Sequence, residues 1–256
     1  MSMTILVATH KKYDFPQDDK IYNPIHVGAH NKEEFGYLKD DTKDNISEKN
    51  PYFSELTALY WAWKNEYFKD KKYCGLVHYR RYFMGELDFK DGSILSKKEA
   101  ENYMCEFDIL VPKKRNYFIE SIQKHYNHAH YAKDLEVTKS ILSELYPEYL
   151  NSYEYIFQGT KLHLYNMFVM RVDLFEDYCE WIFSILFEVE KRIDITDYDD
   201  YQKRVFGFLA ERLFNVWTHY QYMENKLKIK ELPVVNIEGE NLFLKGIGLL
   251  RRKFIR

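Results

Sequence analysis

The chain has 256 residues, and its 37 basic and 40 acidic side chains leave a formal net charge of −3. That length fits one large or two small domains, and the near-balance of charge argues against a general nucleic-acid binder, which needs a basic face. A hydrophobic share of 46% supports a sizeable core, and no uninterrupted apolar run approaches the ~20 residues of a membrane span.

Residues 4–9, Thr-Ile-Leu-Val-Ala-Thr, read as a first strand: the run is continuous, apolar and β-rich. The opening lacks a basic-then-apolar leader pattern, so no secretion signal is expected. A polar loop follows from His10 to Pro16, and residues 17–50 read as irregular. That is long for a connection, and long ordered loops are often binding loops. Asn50-Pro51 has the form of a helix start, with Asn50 as cap and proline in the first turn. Leu56, Leu59, Tyr60, Trp63 and Tyr67 then recur at helical spacing and should face a core.

Residues 73–77 form the next strand, and 107–112 a third, stopped by Pro112. From 117 to 146 the pattern is helical, with Asp134 as a cap. Residues 167–170 are a short strand. Asp173 with Glu176 resembles a capping box and opens an amphipathic helix through Val189. Residues 194–200 are an acidic loop, another helix starts at Asp200 or Tyr201, and 232–237 read as an edge strand. Strands alternating with helices favour an α/β fold. Residues 85–106 and the helix pair 117–146 look like an insertion over the sheet's ligand edge. The tail, 245–256, carries five basic residues among leucines, Phe254 and Ile255. Such a tail can lie on an anionic membrane face or be a solvated terminus. Cys74, Cys105 and Cys179 are widely spaced and odd in number, which suggests reduced core thiols.

The most informative stretch is Gly75-Leu-Val-His-Tyr-Arg-Arg-Tyr82. A buried strand opens directly onto His78, Arg80 and Arg81, at the end where open α/β sheets bind ligands. Two arginines there are costly to bury without a partner, and guanidinium forks match phosphate oxygens. The stretch has no glycine-rich phosphate loop. It suits diphosphate recognition; the alternative is an Arg–carboxylate network. Twenty-three Tyr and 18 Phe would suit a ligand that stacks, such as a sugar, though codon bias gives the same composition.

Further candidates are weaker. The run from Asp40 to Ser47 offers Asx and hydroxyl groups for a ribose or cation, but equally makes Asx-turns. Asn166 stands at the mouth of a strand, where it can bond a sugar hydroxyl. In Arg204-Val-Phe-Gly-Phe-Leu-Ala-Glu-Arg-Leu213 one helix face carries Arg204, Gly207 and Glu211. Gly207 costs helix stability unless something must approach closely. Glu211 beside a cleft would serve as a general base; the alternative is a buried pair with Arg212. His125, His128 and His130 have metal-like spacing without a matching carboxylate, and a helix-edge cluster is favoured. Asp197-Tyr-Asp199 has Asp-x-Asp spacing but sits in a loop, and no acyl-transfer signature stands out.

Together these residues resemble a family of bacterial capsular and exopolysaccharide glycosyltransferases long labelled a domain of unknown function. The resemblance is carried by Val7-Ala-Thr-His-Lys-Lys-Tyr13, Gly36-Tyr-Leu38, Asp40-Asp-Thr42 with Asp44-Asn-Ile-Ser47, Glu55-Leu-Thr-Ala-Leu-Tyr-Trp61 with Trp63-Lys-Asn65, the His78 stretch, Asn166-Met-Phe-Val-Met170 and Gly207-Phe-Leu-Ala-Glu-Arg-Leu213. It implies a GT-A-like, Rossmann-like α/β domain over residues 1–244, with 117–146 near the acceptor and 245–256 as tail. Some members resemble galactofuranosyltransferases acting on lipid-linked oligosaccharides. Where typical members of that fold carry Asp-x-Asp, this chain has His78-Tyr79-Arg80, so a Mn or Mg ion is not implied.

The expected reaction is inverting transfer of a hexose, galactofuranose or galactose, from a UDP-sugar to a polyprenyl-diphosphate-linked saccharide at the inner face of the cell membrane. Thr9, His10, Tyr13, Asp44 and Asn45 are expected at the uridine, Arg80 and Arg81 at the diphosphate, His78, Asn166 and Arg212 around the donor, and Glu211 as base. The rivals are a non-catalytic carbohydrate-binding scaffold of the assembly machinery and a metal-dependent nucleotidyl- or phosphotransferase.

Overall fold

The computed structural model describes residues 2–17 and 20–238. The chain opens with strands β1 (Met3–Thr9), β2 (Tyr22–His26) and β3 (Leu38–Lys39), then helices α1 (Asn50–Phe53) and α2 (Leu56–Lys64). Strands β4 (Tyr73–His78), β5 (Arg81–Phe89) and β6 (Gly92–Ile94) lead to α3 (Lys97–Glu106), β7 (Ile109–Pro112) and β8 (Arg115–Asn116). Helices α4 (Ile122–Ala129), α5 (Ala132–Leu145) and α6 (Leu150–Gln158) precede β9 (Lys161–Leu162) and β10 (Phe168–Arg171). Two long helices, α7 (Val172–Arg192) and α8 (Val205–Asn225), and strands β11 (Ile229–Leu232) and β12 (Val234–Asn236) complete the described chain.

The main sheet has the order β11-β7-β10-β4-β1-β2-β3. β1 runs parallel to both β2 and β4, β2 to β3, and β7 to β11. β10 is antiparallel to β4 and β7. Alternation along the strands splits the core between two faces. Leu6, Leu76, Val111 and Phe168 face the helices α2 and α4–α8. Ile5, Val77, Leu110 and Val169 face β5, β6 and α3. Both faces being covered is why β1 and β4 are near-continuous apolar runs. Gly75 is fixed by this packing, since a Cβ there would stand 2.7 Å from the Phe168 carbonyl oxygen on β10.

Several expectations change. Residues 17–50 are not irregular: β2 pairs with β1 from Tyr22 to His26, and β3 extends the sheet. Its sequence, Tyr-Asn-Pro-Ile-His, hides the strand because Pro24 and two polar residues break the apolar pattern. Asn50 lies inside α1 and is not its cap; its side chain donates to the Ser54 carbonyl and the Thr57 hydroxyl. The expected single helix breaks at Ser54, whose φ is +53°. Asp134 does not cap α5, which starts from Tyr131; it is buried and accepts from the Tyr198 hydroxyl at 2.7 Å. Asp173 does not cap α7 but pairs with Arg171. Residues 85–106 do not hang over the ligand edge; β5, β6 and α3 cover a face of the sheet. Residues 232–237 split between β11 and β12, and β12 pairs with β5. Cys74 and Cys179 are core thiols, whereas Cys105 is exposed. The tail 245–256 lies outside the described residues.

In the run from Asp40 to Ser47 the first aspartate is structural. Asp40 is fully buried. It accepts from the amides of Gly28 and Ala29 and the hydroxyls of Ser47 and Thr57, at 2.5–3.0 Å. A carboxylate saturated by four donors ties the loop after β2 to α2. Asp40→Ala would leave the two amides and the Ser47 hydroxyl proton without an acceptor, the Thr57 hydroxyl keeping the Ser54 carbonyl, and should destabilise the fold by about 3 kcal/mol or more. Urea unfolding of the two proteins checks this.

Candidate active site

The carboxyl end of β4 and the amino end of β10 meet at one edge of the sheet, because the two strands are antiparallel. A cavity of about 440 Å³ opens there. That volume is within the ~300–1,000 Å³ of ordinary small-molecule sites. β4 delivers His78, the turn after it Arg80 and the start of β5 Arg81; α8 delivers Gly207, Phe208 and Glu211, with Arg204 just before it. The break between α1 and α2 brings Ser54 and Glu55.

Close approach of α8 explains Gly207. A Cβ on this residue would lie 3.1 Å from the Ser54 hydroxyl, so the glycine lets the α1–α2 break pack against the helix. Arg204 Nε donates to the same hydroxyl at 3.3 Å. The face of α8 expected to carry Arg204, Gly207 and Glu211 does line the cavity.

At the centre is a backbone kink before β10. Tyr165 and Asn166 have φ of +77° and +50°, a region that a bulky residue such as tyrosine rarely adopts. The kink is held from several sides. Glu211 Oε1 accepts from the Tyr165 amide at 2.5 Å, and His78 Nε2 donates to the Tyr165 carbonyl at 2.7 Å. The guanidinium of Arg81 lies 4.7 Å from the centre of the Tyr165 ring. Asn166 Nδ2 donates to Glu55 Oε1 at 2.7 Å, while its buried Oδ1 has no hydrogen-bond partner.

Glu211 keeps only 19% of its side chain exposed. Burial pushes its carboxyl up from the ordinary glutamate value and nearby Glu55 adds to this; Arg212, the Tyr165 amide and His78 pull it down less strongly. Arg212 itself is buried, donating to Glu211 at 3.1 Å and to the Phe208 carbonyl at 2.9 Å. It pairs with Glu211 and does not line the cavity, so it is not brought to a position around a donor.

The residues expected at the uridine divide. His10 lines the cavity, with its ring edge-on to Tyr79 at 5.3 Å. Tyr13 packs on the far side of Tyr79, and burial pushes its phenol up to about 12. Thr9 is buried, and its hydroxyl donates to the Lys11 carbonyl. Asp44 and Asn45 are not brought to the cavity. Asp44 accepts from Tyr60 and Asn65 on and beside α2, and Asn45 folds onto its own turn through Lys43 and Ser47. The Asx-turn reading of that run holds.

Glu55 and Arg204 line the cavity but were given no site role from sequence. Glu55 opens the Glu55-Leu-Thr-Ala-Leu motif directly after the Ser54 break, and Arg204 lies seven residues before Glu211, two turns along one face. His125 packs on Tyr117, His128 meets Glu120 and His130 bonds Gln202, so the histidine trio does not converge.

The fold agrees with a solved structure. The apo structure of the WbbM bifunctional glycosyltransferase superposes with a TM-score of 0.82 at 34% identity, over 94% of this chain and 46% of that one. The chain thus spans about half the length of that protein, and its fold is α/β and GT-A-like. No curated protein matches. A family profile described as "Domain of unknown function (DUF4422)" matches residues 4–222. With most of its length under that profile, and with the motifs at 78–82, 166–170 and 207–213 placed around one cavity, the chain belongs to the DUF4422 family.

Proposed function

We propose that the chain is an inverting glycosyltransferase that moves a hexose, galactofuranose or galactose, from a UDP-sugar to a polyprenyl-diphosphate-linked saccharide in bacterial surface-polysaccharide synthesis. The observation that carries this reading is the meeting of Arg80, Arg81 and Arg204 with Glu55 and Glu211 in one cavity of a glycosyltransferase-like fold. Cations suit a diphosphate and carboxylates suit an acceptor hydroxyl. In the proposed step Glu211 takes the proton of that hydroxyl. The oxygen attacks the anomeric carbon from the face opposite UDP, the bond from that carbon to the phosphate oxygen breaks, and its electron pair leaves with UDP. Arg80 and Arg81 neutralise the charge that develops, a contribution of several kcal/mol when such groups are preplaced. His10 and the Tyr79–Tyr13 pair lie beside the arginines, where the uridine would sit. His78 and Asn166 shape the sugar pocket, and Phe208 with Tyr201 at 5.1 Å gives the acceptor a stacking surface.

We infer that the arginines, and not a metal ion, hold the diphosphate. Glu55 is engaged by Asn166, Glu211 by Tyr165 and Arg212, and among the described residues no three His, Cys, Asp or Glu are grouped to hold an ion. Among the described residues no helix is long and apolar enough to cross a membrane, so access to a lipid-linked acceptor would be from the bilayer surface. A thermal-shift series with UDP, UDP-sugars, ATP and Mn²⁺, with and without EDTA, tests the reading. UDP and UDP-sugars should raise the melting temperature equally well in EDTA. Stabilisation by ATP that requires metal would favour a nucleotidyl- or phosphotransferase, and no nucleotide response at all would favour a carbohydrate-binding scaffold.

A further inference from the structure

Residues 113–120 leave β7 as Lys-Lys-Arg-Asn-Tyr-Phe-Ile-Glu. Phe118 and Ile119 at the tip of this loop are each 79% exposed, more than any other exposed large hydrophobic residue in the described chain. The display is built. Phe118 has a φ of +58°, unusual for an aromatic residue. Asn116 Oδ1 accepts from its amide at 2.9 Å, and the Ile119 amide donates to the Tyr117 carbonyl at 2.8 Å. Two apolar side chains are therefore held out into water by a strained, bonded turn.

Charge surrounds the tip. Lys113, Lys114 and Arg115 precede it and are exposed, and β9 places exposed Lys161 opposite Asn116. The acids are few: Lys114 lies 4.0 Å from Glu231, and Glu120 turns to His128 at 3.3 Å. Apolar residues ringed by cations are the chemistry of a segment that enters an anionic lipid surface. We propose that residues 113–119 dock on an anionic bilayer, with Phe118 and Ile119 between the headgroups and Lys113, Arg115 and Lys161 on the lipid phosphates.

Tyr117 ties the loop to α4, its ring packing on His125 at 4.1 Å, and the charge of Glu211, which lines the cavity, acts on its phenol. A docked loop would bring the domain to the membrane surface, where a lipid-linked saccharide presents its sugar; this consequence rests on the transferase reading, while the docking does not.

Co-sedimentation of the full chain with phosphatidylglycerol-containing and pure phosphatidylcholine vesicles tests it. Binding should need the anionic lipid. Phe118→Ser with Ile119→Ser should weaken it about tenfold or more, as should Lys113→Ala with Arg115→Ala. All four positions are exposed, so the melting temperature should not move. With Cys105→Ser removing the exposed thiol, an environment-sensitive dye on Phe118→Cys should shift to the blue on anionic vesicles only. Full-chain binding that both loop variants leave intact would overturn the proposal and leave the residues beyond 238 as the anchor. No binding to either vesicle would overturn it too. So would a loop variant that changes only the oligomeric mass by light scattering, since the patch would then join two copies. The assay uses neither donor nor turnover, so its failure leaves the transferase reading standing, and the reverse.

Discussion

Glu211→Gln should lower sugar transfer by about 10²–10⁴-fold while UDP affinity, measured by calorimetry, stays near that of the unaltered protein. The substitution keeps the shape and an oxygen for the Tyr165 amide, which Glu211 now holds at 2.5 Å. It removes the negative charge that would receive the acceptor's proton. Arg212, 4% exposed, loses its counter-charge, so a lower melting temperature is also expected. The pH profile separates that structural cost from a loss of chemistry. Burial raises the Glu211 carboxyl above the ordinary glutamate value, so the ionised form prevails only above that raised value. Turnover should therefore fall as pH drops through a point higher than an ordinary carboxylate would give. The Gln variant should lack this acid limb. Surviving turnover with the limb intact would move the base elsewhere, and Glu55, on the same cavity, would be next.

Arg80→Ala has the second largest expected effect. Its guanidinium carbon lies 5.6 Å from the Tyr79 ring centre, and its backbone carbonyl accepts from the Ile237 amide. Truncation leaves that backbone bond intact, so the fold should survive. Loss of charge-assisted bonds to a diphosphate, about 1.5–3 kcal/mol each, should weaken UDP binding roughly tenfold to a hundredfold. Turnover should fall further, because charge on the departing UDP grows in the transition state. Arg80→Lys should restore only part, since an ammonium does not reproduce the planar fork. UDP affinity unchanged in Arg80→Ala would reject the arginine role.

Legibility in the sequence followed the kind of interaction. β1, β4, β7 and β10 were readable because a strand buried on both faces must be continuously apolar. The helix carrying Glu211 was readable from its apolar spacing, and Gly207 inside it signalled a close neighbour, which is Ser54. β2 was not, since parallel pairing to β1 tolerates Pro24 and two polar residues in a strand whose identity comes from its partner. The capping box of α3, Ser96 with Glu99, was present as a pattern and passed over inside a supposed insertion. Arg80 and Arg81 were found through the strand end that carries them, whereas Arg204 was not given a role. Glu55 was missed because its place depends on the Ser54 break, which no composition announces. Asp44 and Asn45 misled because residue types that bond a ribose also bond their own turns.

The kink at Tyr165 has a consequence for movement. Its amide is held by Glu211 on α8 and its carbonyl by His78 on β4, so this one residue, through two successive peptide units, links two distant parts of the chain. A swing of either side chain gives up its own bond to Tyr165 and frees one side of the kink. On the transferase reading, adjustment to a donor and an acceptor would fall to a joint shift of helix, strand end and kink, or to the arginines, whose long stems would follow the leaving group.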